Sequence, residues 1–386
     1  MRRDVRAALV VGLGLAVVGG IGTAGARTLL EERPAPAVAA AAPVPRLVAA
    51  SADAGVQAWT APLRVEVADG ALTGVVALGP GDEPLAGRLA GGTWTSTGSL
   101  VPSATYRLTG TVRDAAGAEL QRPLVVRTSD PEQVVTAALR PGDDAVVGVG
   151  QPVVVVLDAP VREPAARAAV VERLRVTSTP SVRGGWRWTS PTELHWRPAE
   201  LWPAGTRVDV RAELEGLALP GGAWGSGVRT SRFTVGDAVV STVDVAAHTM
   251  TVTRNGEVLR VLKASMGKPE HPTRGGTHLV LEKDATRVMD SDTVGLPGAY
   301  RTEVQWAVRL TYSGTFTHSA PWSVADQGVR NVSHGCINLS PEDAKWFYDL
   351  ARRGDVVHVV GTDEPPLPDD PGSVDWNVPF EEWVSG

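Results

Sequence analysis

One cysteine, Cys336, occurs among 386 residues, in the run Ser333-His334-Gly335-Cys336-Ile337-Asn338. A lone thiol closes no internal disulfide, which leaves three readings: a small buried apolar residue, an intermolecular link or a reactive thiol. Its neighbours favour the last. Gly335 permits a tight backbone that exposes the sulfur, and a helix starting near Ser340 would bring its positive end towards a thiolate. Such a thiol also needs a base, because unassisted it ionises only near pH 8.5. His334 is too close in sequence for its aim to be assumed. His318, in Thr317-His318-Ser319-Ala320-Pro321-Trp322, can approach from a separate strand or loop. A thiol activated by a distant imidazole is the logic of covalent acyl transfer. Zinc held by His318, His334 and Cys336 is the competing use, but there is no second Cys, no Cys-x-x-Cys and no His-x-x-x-His pair, and no metal is expected. His195, His248, His271, His278 and His358 have no nucleophile nearby in sequence and read as ordinary surface or core residues. No nucleotide-binding glycine motif, Gly-x-Ser-x-Gly or calcium loop is present, and no cofactor is expected. Asn331-Val332-Ser333 and Asn338-Leu339-Ser340 match the short glycosylation sequon, and both overlap the thiol loop.

The elements that must position these residues are mostly strands. Forty-two Gly and 29 Pro against 20 aromatics favour short strands and turns over long helices. The length implies several cores. A formal charge of −6 with no clustered basic face argues against nucleic acid as a partner. Arg2, Arg3 and Arg6 precede an uncharged stretch from Ala7 to Ala26, so residues 1–30 read as a secretory signal or a signal-anchor and place the rest outside the cytoplasm. Residues 31–46 are a Pro/Ala-rich tether. From 47 to 130, alternation such as Leu63-Arg64-Val65-Glu66-Val67 between turn clusters indicates an antiparallel sandwich, and a second runs from 131 to 235. Val153 to Leu157 suits a strand buried on both faces. Trp186, Trp188, Trp196, Trp202 and Trp224 fall in this second unit and read as sandwich core and domain-interface packing, with a glycan-stacking surface as the competing use.

The third unit spans 236–362. Asn255-Gly256 between two apolar runs signals a type I′ hairpin. Ser340 as N-cap, Pro341 at the first helical position, and Glu342 and Asp343 in the first turn start a helix that Arg352, Arg353 and Gly354 close. Ala344, Phe347, Tyr348 and Ala351 give its buried face. The tail, 363–386, carries Trp376, Phe380 and Trp383, which are expected to dock it on the catalytic domain.

The stretch from His318 to Ser340, HSAPWSVADQGVRNVSHGCINLS, closely resembles the active-site motif of the L,D-transpeptidases, or YkuD domain. The likeness runs from about Asp237 through the tail and includes Met289-Asp290-Ser291, Tyr300-Arg301-Thr302 and Tyr312-Ser313-Gly314. The upstream sandwiches resemble the tandem bacterial immunoglobulin-like domains of the actinobacterial, mycobacterial-type enzymes. The resemblance implies a mostly β protein: two immunoglobulin-like sandwiches, then a β-rich YkuD-type catalytic domain with few short helices. It also implies a peptidoglycan cross-linker, with a tetrapeptide stem as donor and a neighbouring stem as acceptor. Cys336 would attack the third-residue carbonyl, and His318 would take the thiol proton with its ring oriented by the Ser319 carbonyl. His334, Gly335 and Cys336 would build a loop of oxyanion-facing N–H groups, joined by the Tyr300 hydroxyl. Met289 and Trp322 would line the mouth beneath a flap over about Asp290 to Ser313, with Ser333 and Asn338 against the substrate. Asn338 stands where many members carry Arg, which bears on contacts to a substrate carboxylate. Carbapenems would acylate the same thiol. Membrane contact through the N-terminal segment follows if that segment stays uncleaved. Two other readings compete: an L,D-carboxypeptidase or cysteine hydrolase that transfers the acyl group to water, and a non-catalytic wall-binding spacer.

Overall fold

The computed structural model describes residues 43–385 apart from 296, 299, 369 and 371–373. The export segment 1–30 and the tether to residue 42 lie outside the described residues. Among the described residues no helix is long and apolar enough to cross a membrane.

Strict alternation builds the sandwiches. Along Thr105–Arg113 the buried residues are Tyr106, Leu108, Gly110 and Val112, so one face meets the core and the other meets water. Two four-stranded sheets make the first sandwich. The second has two such sheets and a three-stranded flank. Its strand Val153–Leu157 lies between Ala137–Arg140 and Glu193–Pro198 and is buried at all but one position, as its uninterrupted apolar run requires. Trp196 and Trp202 are buried beside Phe233. Trp224 instead turns to the first sandwich, meeting Trp59 edge-on at 5.2 Å.

The third domain comprises β1 (Val239–Asp244), β2 (Thr249–Arg254), β3 (Glu257–Lys263), β4 (Gly276–Leu279), β5 (Glu282–Asp290), β6 (Arg301–Arg309), β7 (Phe316–Ser319), β8 (Ile337–Leu339) and β9 (Val356–Val360). They form a five-stranded sheet of order β3-β2-β1-β9-β4 and a four-stranded sheet of order β5-β6-β7-β8. Asn255 and Gly256 have φ of +50° and +88°, the positive pair that lets β2 turn directly into β3. Val243, Met250, Val252 and Leu262 from the first sheet share one core with Val308, Ile337 and Leu339 from the second and with Ala344 and Phe347 of the helix Pro341–Leu350. That helix is capped by Ser340, whose hydroxyl accepts the Asp343 N–H at 3.1 Å. It stops at Leu350, sooner than the Arg352-Arg353-Gly354 signal suggests, because Ala351 is already extended.

The second sandwich and the third domain meet backbone to backbone. Gly148 and Gly150 donate to the Arg353 and Gly354 carbonyls, each at 2.8 Å. A Cβ on Gly148 would lie 2.0 Å from the Asp355 nitrogen, so only glycine allows this approach. Around it Val149, Val153 and Trp202 share a core with Leu279, Leu281 and Val356. The tail spans the same junction. Asp370 accepts the Tyr312 and Ser313 N–H groups, and Asn377 pairs with the Thr277 backbone, both on the third domain. Beyond that it crosses to the second sandwich, where Trp383 is fully buried and donates to the Gly185 carbonyl, and Arg197 lies over Trp376, Phe380 and Trp383.

Candidate active site

Parallel pairing of β7 with β8 brings the reactive groups together. Thr317 lies opposite Ile337, His318 opposite Asn338, and Ser319 opposite Leu339. Cys336 directly precedes Ile337, and side chains alternate faces along a strand, so Phe316, His318, Cys336 and Asn338 share one face. Residues 320–336 cross over between the two parallel strands and carry both Trp322 and the Ser-His-Gly-Cys run. A cavity of about 200 Å³ opens here, lined by Met289, Tyr300, Thr302, Val304, His318, Trp322, Val332, Ser333, His334, Cys336 and Asn338.

His318 is buried, and its Nδ1–H donates to the Ser319 carbonyl at 2.9 Å. That bond fixes the tautomer with Nε2 unprotonated and able to accept a proton. Burial depresses its pKa, against the Ser319 hydrogen bond, so the ring is neutral at pH 7. Cys336 Sγ points at the Gly314 carbonyl, 3.6 Å away. Burial pushes the thiol up to about 11, although the Phe316 N–H and the Arg309 guanidinium favour its thiolate. The resting pair is therefore an uncharged thiol and an uncharged imidazole. The expected help from the helix is not realised: β8 separates Cys336 from Ser340, a span of roughly 13 Å at strand rise, and the thiol is raised rather than lowered.

The loop around the sulfur is braced internally. Gly335 has φ +114°, open only to glycine. Its N–H donates to Ser333 Oγ at 3.1 Å, and that hydroxyl donates to the Cys336 carbonyl at 2.6 Å. The Gly335 N–H thus holds the loop's shape and does not face the cavity as an oxyanion donor. His334 is half-buried and rests against Tyr300 at 5.1 Å and His271 at 5.0 Å between ring centres. Burial, then Lys268 and His271, lower its pKa. Tyr300 is raised by burial, Cys336 and Asp290, and stays a hydroxyl donor through neutral pH.

Met289 and Tyr300 reach the cavity from the β5–β6 hairpin, whose tip is the turn Ser291–Val294. The hairpin pairs from Glu282–Arg309 to Asp290–Arg301, so the stretch expected as a flap, about Asp290 to Ser313, takes in its tip and its second strand. Trp322 is 58% exposed at the mouth, 6.0 Å from the His318 ring. Asn338 is buried with its Nδ2 on Ser323 Oγ, and Asn331 is tied to Met266 and Val245, so both sequon asparagines are structural. Thr302 and Val304 were legible by period, lying two and four residues beyond Tyr300 on one strand face. His271 and Thr273 carried no local signal, and Gly314 stood out only within the Tyr312-Ser313-Gly314 run of the resemblance.

An uncharged thiol–imidazole pair at the edge of a sheet, roofed by a hairpin and carried on two immunoglobulin-like sandwiches, defines a β-rich acyl-transfer enzyme. Residues 238–359 match the model of the L,D-transpeptidase catalytic domain, and residues 54–218 that of a bacterial Ig domain. L,D-transpeptidase 2 of Mycobacterium tuberculosis is 40% identical over 350 residues, covering 89% of this chain and 85% of that protein. L,D-transpeptidase 1 of the same species is 42% identical over 229 residues, covering 58% and 84%. A solved LD transpeptidase in complex with imipenem has a TM-score of 0.52 and 41% identity, over 60% of this chain and 100% of that one. L,D-transpeptidase 3 from M. tuberculosis in complex with a faropenem-derived adduct has a TM-score of 0.50 and 37% identity, over 58% and 97%. The chain belongs to the L,D-transpeptidase family, enzymes that cross-link peptidoglycan outside the cytoplasm.

Proposed function

We propose that Cys336 forms a thioester with the third residue of a tetrapeptide stem and passes that acyl group to a side-chain amine of a neighbouring stem. The shared cavity face of His318 and Cys336, with His318 Nδ1 tied to Ser319, carries this reading. As sulfur attacks the carbonyl, the thiol proton moves to His318 Nε2. Collapse of the tetrahedral intermediate breaks the amide, and His318 returns the proton to the departing D-Ala amine. The acceptor amine then attacks the thioester and loses its proton to His318, which reprotonates the departing thiolate and restores the thiol. Proton transfer concerted with attack suits this site, because forming a free thiolate of pKa about 11 at pH 7 costs on the order of 5 kcal/mol. The Cys336 N–H and the Tyr300 hydroxyl receive the oxyanion, each such donor being worth roughly 10²- to 10³-fold. Met289 and Trp322 line the donor's path, Ser333 and Gly335 hold the loop, and Asn338 supports the floor.

Imipenem in the related structure supports carbapenem acylation of Cys336 here, and the faropenem-derived adduct extends that support to another β-lactam class. The charged start and uncharged run of residues 1–30 support export, with the protein either membrane-anchored or released into the wall. A reporter fused after residue 46 is expected to be active only outside the cytoplasm, and cytoplasmic activity would remove this placement.

The deciding experiment incubates the protein with purified tetrapeptide stems and reads products by mass. A dimer lacking one D-Ala is expected, and it is expected to vanish in Cys336→Ala and Cys336→Ser with the fold intact. Tripeptide without dimer would make the enzyme a carboxypeptidase. Dimer formed by either variant at the wild-type rate would overturn the cysteine mechanism.

A further inference from the structure

A short turn on the far side of the nucleophile loop grips three consecutive residues of it. The Lys268 N–H donates to the Ser333 carbonyl at 3.0 Å, the His271 ring packs on His334, and Thr273 Oγ1 donates to the Gly335 carbonyl at 3.0 Å. The same Thr273 hydroxyl accepts the Gly267 N–H at 2.9 Å. Thr273 is fully buried and does not line the cavity. The turn is closed on itself by His271 N–H on the Lys268 carbonyl at 2.9 Å, and a Cβ on Gly267 would sit 2.1 Å from the His271 oxygen.

What Thr273 holds is one end of a rigid unit. The Gly335 carbonyl and the Cys336 N–H belong to one planar peptide and point in opposite directions, so fixing the carbonyl fixes the N–H. Glycine at φ +114° imposes little torsional preference of its own, so this peptide's orientation depends on what binds it. We propose that Thr273 is a positioning residue that aims the Cys336 N–H at the oxyanion by anchoring the opposite edge of the same peptide.

This rests on the cysteine acyl-transfer reading above and predicts a separation between two reactions of one sulfur. Acylation by a tetrapeptide stem or a carbapenem develops an oxyanion, whereas alkylation by iodoacetamide displaces iodide and needs no oxyanion donor. In the full-length protein, Thr273→Val is expected to lower the acylation rate constant about 10- to 100-fold, part of the value of one oxyanion donor. Its KM for the stem is expected to stay within about 3-fold and its alkylation rate within about 2-fold of wild type, since neither depends on that donor. Thr273→Ser keeps the hydroxyl and is expected to restore acylation. Wild-type acylation by Thr273→Val would overturn the proposal, as would a parallel fall in alkylation, which would reduce Thr273 to a structural residue. If the valine variant does not fold, Thr273→Ala against Thr273→Ser poses the same question, and equal acylation by these two would likewise overturn it. A wild-type protein that is alkylated but never acylated at Cys336 would instead defeat the acyl-transfer reading itself.

Discussion

His318 and His195 are each 5% exposed, yet their surroundings drive them to opposite charge states. His318, in the cavity, has one carbonyl partner, and burial wins: the ring is neutral. His195, at the junction of the second sandwich with the tail, is held between Asp375 at 2.6 Å and Glu193 at 2.7 Å. Burial opposes its charge, but Asp375 and then Glu193 outweigh it and raise the ring to about 9. A carbonyl orients an imidazole and leaves it able to take a proton, whereas two carboxylates hold it as a cation up to about pH 9. On the proposed mechanism the same residue type thus serves proton transfer in one region, and it serves attachment in the other.

The largest expected effect breaks the reactive half of this contrast. His318→Ala is expected to slow acylation by about 10²- to 10⁴-fold at pH 7, the usual value of a positioned base. Rescue by alkali is expected only around pH 10 and above, because burial holds this thiol near 11 rather than at its free value near 8.5. A small loss at pH 7 would pass the role of base to His334. In the wild type, the lowered pKa of His318 places the acid limb of the rate profile below pH 6.5. A limb above 6.5 would contradict a neutral, desolvated ring.

Next in size is the structural half. Removing one partner of a buried ion pair typically costs about 3–5 kcal/mol. Asp375→Asn is therefore expected to lower the melting temperature by roughly 6–20 °C at pH 6, at about 2–4 °C per kcal/mol, with acylation of the folded protein unchanged. His195 is raised in the fold, so its stabilisation is complete below its unfolded value near 6.5 and is lost as pH climbs through about 9. Melting curves of wild type and variant should then stand apart at pH 6 and converge at pH 10. A pH-independent gap would show that the pair acts by packing and not by charge.

A smaller effect tests the glycine seam beneath that clasp. Gly148→Ala forces a methyl against the Asp355 nitrogen and is expected to cost about 1–3 kcal/mol, as overpacking does. Unchanged stability would mean that the two domains part easily, contrary to their shared core.

Much of this was readable from local signals. The cap at Ser340-Pro341, the hairpin at Asn255-Gly256 and the buried strand Val153–Leu157 follow from rules acting over a few residues, and Cys336 with His318 stood out by type and motif. What escaped depends on pairing between distant segments. No spacing relates Thr273 to Gly335, 62 residues on, or Trp383 to Gly185, 198 residues back. The helix end near Ser340 misled for the same reason, since only the strand between shows how far it stands from the sulfur. Trp224 was expected in the second sandwich with interface packing among its roles, and it has that role, but only the fold shows that the neighbour it meets is the first sandwich.

That last residue sets the smallest expected effect. The second sandwich is fused to the catalytic domain by backbone hydrogen bonds, a common core and the tail, while a groove of about 600 Å³ opens between it and the first sandwich beside the Trp59–Trp224 contact. The first sandwich should therefore be dispensable for chemistry. Deleting residues 47–130 is expected to leave turnover of soluble stems within about 2-fold of wild type, since no cavity residue is lost. It does uncover Trp224, forfeiting an edge-on pair worth about 0.5–1.5 kcal/mol and leaving an aromatic surface exposed. The shortened protein should accordingly melt only slightly lower but associate more readily, and Trp224→Ser within it should reverse the association without altering turnover. A loss of turnover that Trp224→Ser does not mend would mean that the first sandwich acts on the site through the second, and the division between an attached sandwich and a spacer would fall.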